Sequence, residues 1–143
     1  MQAEAILHAC GLFSRVTEPS RSALLNMAMI RQFSSGQMIF RQGEPCPGIF
    51  LVGTGLVRIF MLAPTGKQQT LHQIADGGTF AEVATIGQFD CPAFAEAVLD
   101  TECLLPNQRF QRALQEDHAL CLQLLGGLAG RVHHFLELLE DIT

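Results

Sequence analysis

Residues 36–82 read GQMIFRQGEPCPGIFLVGTGLVRIFMLAPTGKQQTLHQIADGGTFAE. Short apolar runs are broken there by Gly or Pro, and each break carries its own turn chemistry. In Gln42-Gly43-Glu44-Pro45, glycine is free to take positive φ and proline fixes its own. Ile49 to Val52 is apolar without alternation, which marks a strand covered on both faces. Gly53 and Gly55 then predict a bend or bulge. Leu56 to Leu62, the turn Pro64-Thr65-Gly66-Lys67 and Gln68 to Ile74 make a hairpin. Asp76-Gly77-Gly78 turns the chain into Thr79-Phe80-Ala81-Glu82, and Glu82 to Ile86 fits one helical turn before Gly87.

Outward from this stretch, Ile30 to Phe33, Gln37 to Phe40, Ala93 to Leu99 and Cys103 to Leu105 add further strands. About eight short strands at this spacing predict a mainly β chain with flanking helices, a double-stranded β-helix or jelly roll. Upstream, Ala3 to Val16 falls into short helical groupings around Cys10-Gly11. Glu18-Pro19-Ser20 opens a second helix with Pro in its first turn. After Pro106-Asn107 the apolar period lengthens to that of a helix. Asn107 fits as N-cap of a helix through Leu114, and Asp117 as N-cap of a longer one to the C-terminus. Two parts follow: residues 1–116 as the roll with its helices, and 117–143 as a helical rod.

In the rod, Cys121, Leu125, Leu128, Val132, Phe135, Leu139 and Ile142 alternate spacings of four and three, an a/d seam. Leu120, Leu124, Leu136 and Leu138 widen the apolar face, so one side can lie on the roll while the seam meets a twin helix. A homodimer is the simplest partner. Gly126, Gly127 and Gly130 each cost a helix ~1 kcal/mol relative to Ala. Close approach of another backbone, of the roll or of a ligand offsets that; otherwise the helix frays or kinks there.

The 143 residues suit one compact unit. Apolar residues make up 48% and charged ones 16%, with mean hydropathy +0.25, which points to apolar surface for a partner to cover. A net charge of −5, with nine Lys plus Arg, argues against a grip on a phosphate backbone. The five cysteines form no CxxC pair and read as reduced thiols of a cytoplasmic protein. No secretory leader or membrane-spanning run is evident in the sequence.

The ordered combination of Gly36 to Glu44, Phe50-Leu51-Val52 with Gly53, Gly55, Val57 and Arg58, the turn Pro64 to Lys67, and Thr79-Phe80-Ala81-Glu82 resembles the sensor domain of the Crp/Fnr family of bacterial transcription regulators. The resemblance implies an effector-binding roll, a dimerisation helix and no enzyme activity. It also implies DNA contact only through a helix-turn-helix, which is expected to be absent from this chain because it would begin near Asp141-Ile142-Thr143. This is the pattern of an excised or a stand-alone sensor.

In members that bind cyclic nucleotides, the corner carries a Gly, an acidic residue on the ribose and, about ten residues on, an Arg on the phosphate. Here Glu82 is kept, Ala81 replaces the Gly, and Cys91-Pro92-Ala93 stands where the Arg is needed. A buried phosphate without a cation is disfavoured, so cyclic nucleotide is not expected. The resemblance places Phe80, Ala81, Glu82, Val83, Cys91, Pro92 and Ala93 at the ligand, with Arg131, Val132 and Phe135 from the rod. Thr79 to Glu82 and Arg131-Val132-His133 look most like the nitric-oxide-responsive branch, the dissimilatory nitrate respiration regulators. That branch implies haem, with His133 and His72 as candidate iron ligands. A cyclic-nucleotide domain and a ligand-free dimerisation scaffold remain the alternatives. A metal-dependent cupin enzyme would need a His-x-His that the strands lack.

Overall fold

The computed structural model describes residues 2–142; Met1 and Thr143, the last residue of the expected rod, lie outside them. Helices α1 (Ala3–Ala9) and α2 (Ser20–Asn26) flank a 3-10 turn at Gly11–Phe13. The strands are β1 (Ala28–Phe33), β2 (Met38–Phe40), β3 (Phe50–Thr54), β4 (Leu56–Leu62), β5 (Gln68–Ala75), β6 (Thr79–Phe80), β7 (Phe94–Ala97) and β8 (Thr101–Pro106). Helix α3 (Glu82–Gly87) interrupts them, and α4 (Arg109–Glu116) and α5 (His118–Ile142) follow. The strands form two antiparallel sheets, ordered β1-β8-β3-β6 and β2-β7-β4-β5, which face each other as a jelly roll.

The unbroken apolar run of β3 has the reason the pattern predicted. Leu51 points into a cluster with Ile6, Leu7, Leu12, Phe13, Phe110, Leu120 and Leu124, beneath the helices. Phe50 and Val52 point the other way, into the roll, with Phe33, Phe40, Phe80 and Cys103. The rings of Phe50 and Phe80 stack, 4.7 Å between centroids. Fully burying one such side chain stabilises by ~1.5–3 kcal/mol, so β3 joins two cores. Past it the ladder to β8 shifts register between Val52 and Thr54, and Gly55 takes φ +121°. A Cβ on Gly55 would lie 2.3 Å from Thr101 Oγ1, so the bend is fixed by sterics as well as by φ.

The hairpin β4–β5 pairs from Leu56↔Ala75 to Leu62↔Gln68, with one register shift between Ile59 and Phe60 where Leu71 is left unpaired. Arg58 ties its outer face together, 3.2 Å from Glu96 and 2.7 Å from Gln68, with its guanidinium over the Phe60 ring.

Both expected caps form. The Arg109 N–H donates to Asn107 Oδ1 at 2.9 Å, and the Leu120 N–H to Asp117 Oδ1 at 3.0 Å. Asp117 also accepts from the Ser20 hydroxyl at 2.7 Å, tying the start of α5 to α2. That bond first, and then the Leu120 N–H, hold its carboxyl below the usual carboxylate range.

Helix α5 rests on the 3-10 turn through its first half and then leaves the body: Leu120 and Leu124 are buried, whereas residues 131–142 are all exposed. Gly127 has a specific reason, since a Cβ there would sit 2.5 Å from the Leu12 carbonyl oxygen. The N-terminal segment, rather than a second helix, makes that close approach. Of the seam, Cys121 and Leu128 are half-buried against the chain's own body, while Leu125, Val132, Phe135, Leu139 and Ile142 are exposed. Among the described residues no helix is long and apolar enough to cross a membrane.

Candidate functional site

The corner between β6 and α3 opens onto a cavity of about 200 Å³ on the inner face of the roll. Its lining is largely apolar: Phe40 from β2, Ile59 from β4, Ile74 from β5, Phe80 from β6, and Ala81, Val83, Ala84, Pro92 and Ala93 from the corner and α3–β7 connection. His72, Thr79 and Glu82 are its polar members. His72 and Ile74 share a face because side chains alternate along β5, and His72 pairs across the hairpin with Ile59.

Of the residues expected at the ligand, Phe80, Ala81, Glu82, Val83, Pro92 and Ala93 therefore line one cavity. Cys91 stands one residue outside it, its thiol against that of Cys46. Val132 and Phe135 do not line the cavity and are 59% and 60% exposed. The reason is geometric: α5 has left the body by this point, and four residues of helix carry Phe135 ~6 Å beyond Arg131.

Arg131 does reach the site. Its Nη2 donates to Thr79 Oγ1 at 2.6 Å, and its Nη1 stands 3.9 Å from Glu82 Oε2. That oxygen is buried and has no hydrogen-bond partner among the described residues. A buried acceptor left so costs free energy, and it is the feature of the cavity that calls for a donor. Thr79 was read as part of the corner motif but not as a ligand residue, and its bond to Arg131 was not expected from the sequence. It belongs to a two-residue strand, too short for any period to show. The lining by Phe40, Ile59 and Ile74 follows from strand alternation once the register is known.

Ala81 adopts φ 67° and ψ 14°, the left-handed conformation a glycine would take without strain. The turn that a Gly serves in the family's nucleotide-binding members is thus kept without the Gly. Pro92 and Ala93 put no cation into the cavity wall, and Arg131 is engaged with Thr79 and Glu82.

A haem needs an axial ligand and room for a macrocycle. His72 is the imidazole at the cavity, whereas His133 lies on the exposed part of α5, 2.7 Å from Glu137. At about 200 Å³ the cavity is smaller than the ~300–1,000 Å³ of sites for drug-sized ligands. In this conformation it does not fit a haem. Among the described residues no three His, Cys, Asp or Glu converge as a metal site.

Comparison with known proteins agrees with the fold. The model of the family described as Cyclic nucleotide-binding domain matches residues 30–117, from β1 through α4. Lysophospholipase nte1 of Aspergillus fumigatus is 28% identical over 107 residues, which are 74% of this chain and 7% of that protein. Among solved structures, a candidate cAMP-binding regulatory protein from Silicibacter pomeroyi DSS-3 superposes with TM-score 0.84 at 27% identity. The match covers 98% of this chain and 65% of that one. DNR from Pseudomonas aeruginosa superposes with TM-score 0.80 at 27% identity, covering 96% and 61%. The chain thus spans a small part of the curated lysophospholipase and just under two thirds of the regulators. With the match running over more than half of its length, the chain belongs to the cyclic nucleotide-binding domain family.

Proposed function

We propose that this chain is the effector-sensing and dimerisation part of a Crp/Fnr-type transcription regulator, and that its effector is a largely apolar molecule rather than a cyclic nucleotide. The observation that carries this reading is the cavity's lining. Pro92 and Ala93, where the resemblance implies the phosphate-binding Arg, line the cavity, and the guanidinium that reaches its rim among the described residues, that of Arg131, is engaged with Thr79 and Glu82. A phosphodiester there would lose its hydration without gaining a free cation. An effector that is apolar over most of its surface and offers one donor to Glu82 Oε2 matches the site better. Its signal would pass through Arg131 into α5, whose exposed apolar seam meets a second copy. DNA contact would come from a module outside these residues, in keeping with the net charge of −5. The unpaired cysteines favour a cytoplasmic setting.

Haem, with nitric oxide as its signal, is the specific form of this reading that the resemblance favours. It requires the Arg131 contacts to open and the cavity to enlarge, with His72 the imidazole placed to meet it. One observation favours a cyclic nucleotide instead: the orphaned Glu82 oxygen suits a ribose hydroxyl.

The test is a titration of the purified chain with ferrous and ferric haem, following the Soret band in wild type and His72→Ala. Thermal shift with cyclic AMP runs alongside. A Soret shift lost in His72→Ala supports haem. No response to haem or to cyclic AMP leaves a smaller apolar effector or a filled scaffold. A rise in melting temperature that saturates with cyclic AMP overturns the proposal.

A further inference from the structure

Cys46 lies in the β2–β3 connection, half-buried, with its sulfur 3.4 Å from the Thr85 hydroxyl and 4.0 Å from the Ala81 carbonyl oxygen. Cys91, in the α3–β7 connection, is buried in the cluster against which Cys46 packs, its thiol beside that of Cys46. The two connections are clamped side by side. The Cys91 N–H donates to the Glu44 carbonyl and the Gly43 N–H to the Cys91 carbonyl, both at 2.8 Å. The remaining thiols are placed differently: Cys10 and Cys103 are fully buried, and Cys121 donates to the Leu114 carbonyl. Cys46 opens onto a cleft of about 320 Å³ between α3 and α4, where Gln88, Asp90 and Gln111 also stand; Cys121 lines a separate cavity with no second thiol in its lining.

From this juxtaposition we propose that Cys46 and Cys91 form a modification site, a dithiol that hydrogen peroxide converts into an intramolecular disulfide at the rim of the effector cavity. The oxidant reaches the Cys46 sulfur first, through the cleft. In that step the S–O bond forms as the peroxide O–O bond breaks, and water leaves once the departing oxygen is protonated; Cys46 becomes a sulfenic acid. The Cys91 sulfur then attacks the Cys46 sulfur. The S–S bond forms, the S–O bond breaks, and the Cys91 proton leaves with the hydroxyl as a second water. Two thiols are thereby oxidised by two electrons, and the peroxide is reduced to two waters.

The order of attack follows from the surroundings. Cys46 lines the cleft and meets the oxidant first, whereas Cys91 is buried; burial first, and then the neighbouring Cys46, push the Cys91 thiol up to about 12, and its proton is given up only as it attacks, to the departing hydroxyl. The position gives the bond a consequence. Cys91 precedes Pro92 and Ala93 at the rim made by the α3–β7 connection, and Cys46 touches the carbonyl of Ala81 at the rim made by the β6–α3 corner. A disulfide would tie the two rims together and couple redox state to effector binding. The inference is independent of which effector the cavity takes.

The experiment treats the whole reduced chain with hydrogen peroxide, then alkylates it in denaturant and counts thiols by mass spectrometry. The five free thiols are expected to fall to three, with fragmentation placing one bond between Cys46 and Cys91, and dithiothreitol is expected to restore all five. In Cys46→Ser, which changes a half-buried position, Cys91 is expected to stay reduced under the same dose. Persistence of all five thiols, a Cys46 sulfinic acid with Cys91 free, a bond between two chains, or equal loss of Cys91 in Cys46→Ser would each overturn the proposal.

Discussion

Ala81 holds a left-handed conformation that disfavours a residue with a Cβ by ~1–2 kcal/mol. The cavity corner tolerates it because β6 and α3 fix both ends of the turn. Ala81→Gly is expected to raise stability by ~1 kcal/mol, read as a higher thermal midpoint; an unchanged or lower midpoint would show that the turn relaxes with either residue. Asp117 makes the opposite case, a residue whose side chain earns its position. Its pKa is depressed in the fold, so its contribution is present above the usual carboxylate range and is lost as pH falls through the lowered folded value. Asp117→Ala should cost ~1 kcal/mol near pH 7. Denaturant unfolding of both forms should show that gap closing below about pH 4, and a gap constant with pH would assign the effect to something other than the carboxylate.

At the scale of elements, α5 carries three glycines with different surroundings. Gly127→Ala brings a Cβ onto the Leu12 carbonyl, whereas Gly130 has open space around it. Unfolding of the two variants should therefore diverge, with Gly127→Ala destabilised and Gly130→Ala stabilised by up to ~1 kcal/mol through helix propensity. Equal shifts would contradict the packing of α5 on the N-terminal turn. The same helix shows what the sequence can and cannot disclose. Its caps at Asn107 and Asp117, the β4–β5 hairpin and the doubly covered β3 were legible because each has a local cause: a side-chain acceptor, a turn, an unalternating apolar run. Strand β6 was not, since two residues carry no period. Nor was the division of the seam. The spacing treats Leu128 and Val132 alike, yet only the docking of α5 on Leu12 and Arg15 decides that Leu128 turns inward and Val132 outward. At the cavity, Glu82 and the absent arginine were plain in the chain. The reach of Arg131 across 52 residues to Thr79 was a matter of tertiary structure.

For the whole molecule, two features define the account: a cavity short of a free cation, and a rod whose exposed apolar residues need cover. Val132→Asp lies on the outward side of the rod and is expected to convert a dimer into a monomer in sedimentation velocity. The circular dichroism of the roll should be unchanged, because Val132 touches no buried cluster. A wild-type monomer, or a dimer untouched by the substitution, would remove α5 as the link between copies. Arg131 joins the two features, since one guanidinium meets both the cavity rim and the start of the exposed rod.

The central claim is that the family's phosphate site has become an apolar cavity, and calorimetric titration of the purified chain with cyclic AMP tests it most directly. The account predicts no saturable heat at millimolar nucleotide, and saturable binding in the micromolar range, weakened by Glu82→Ala, would contradict it.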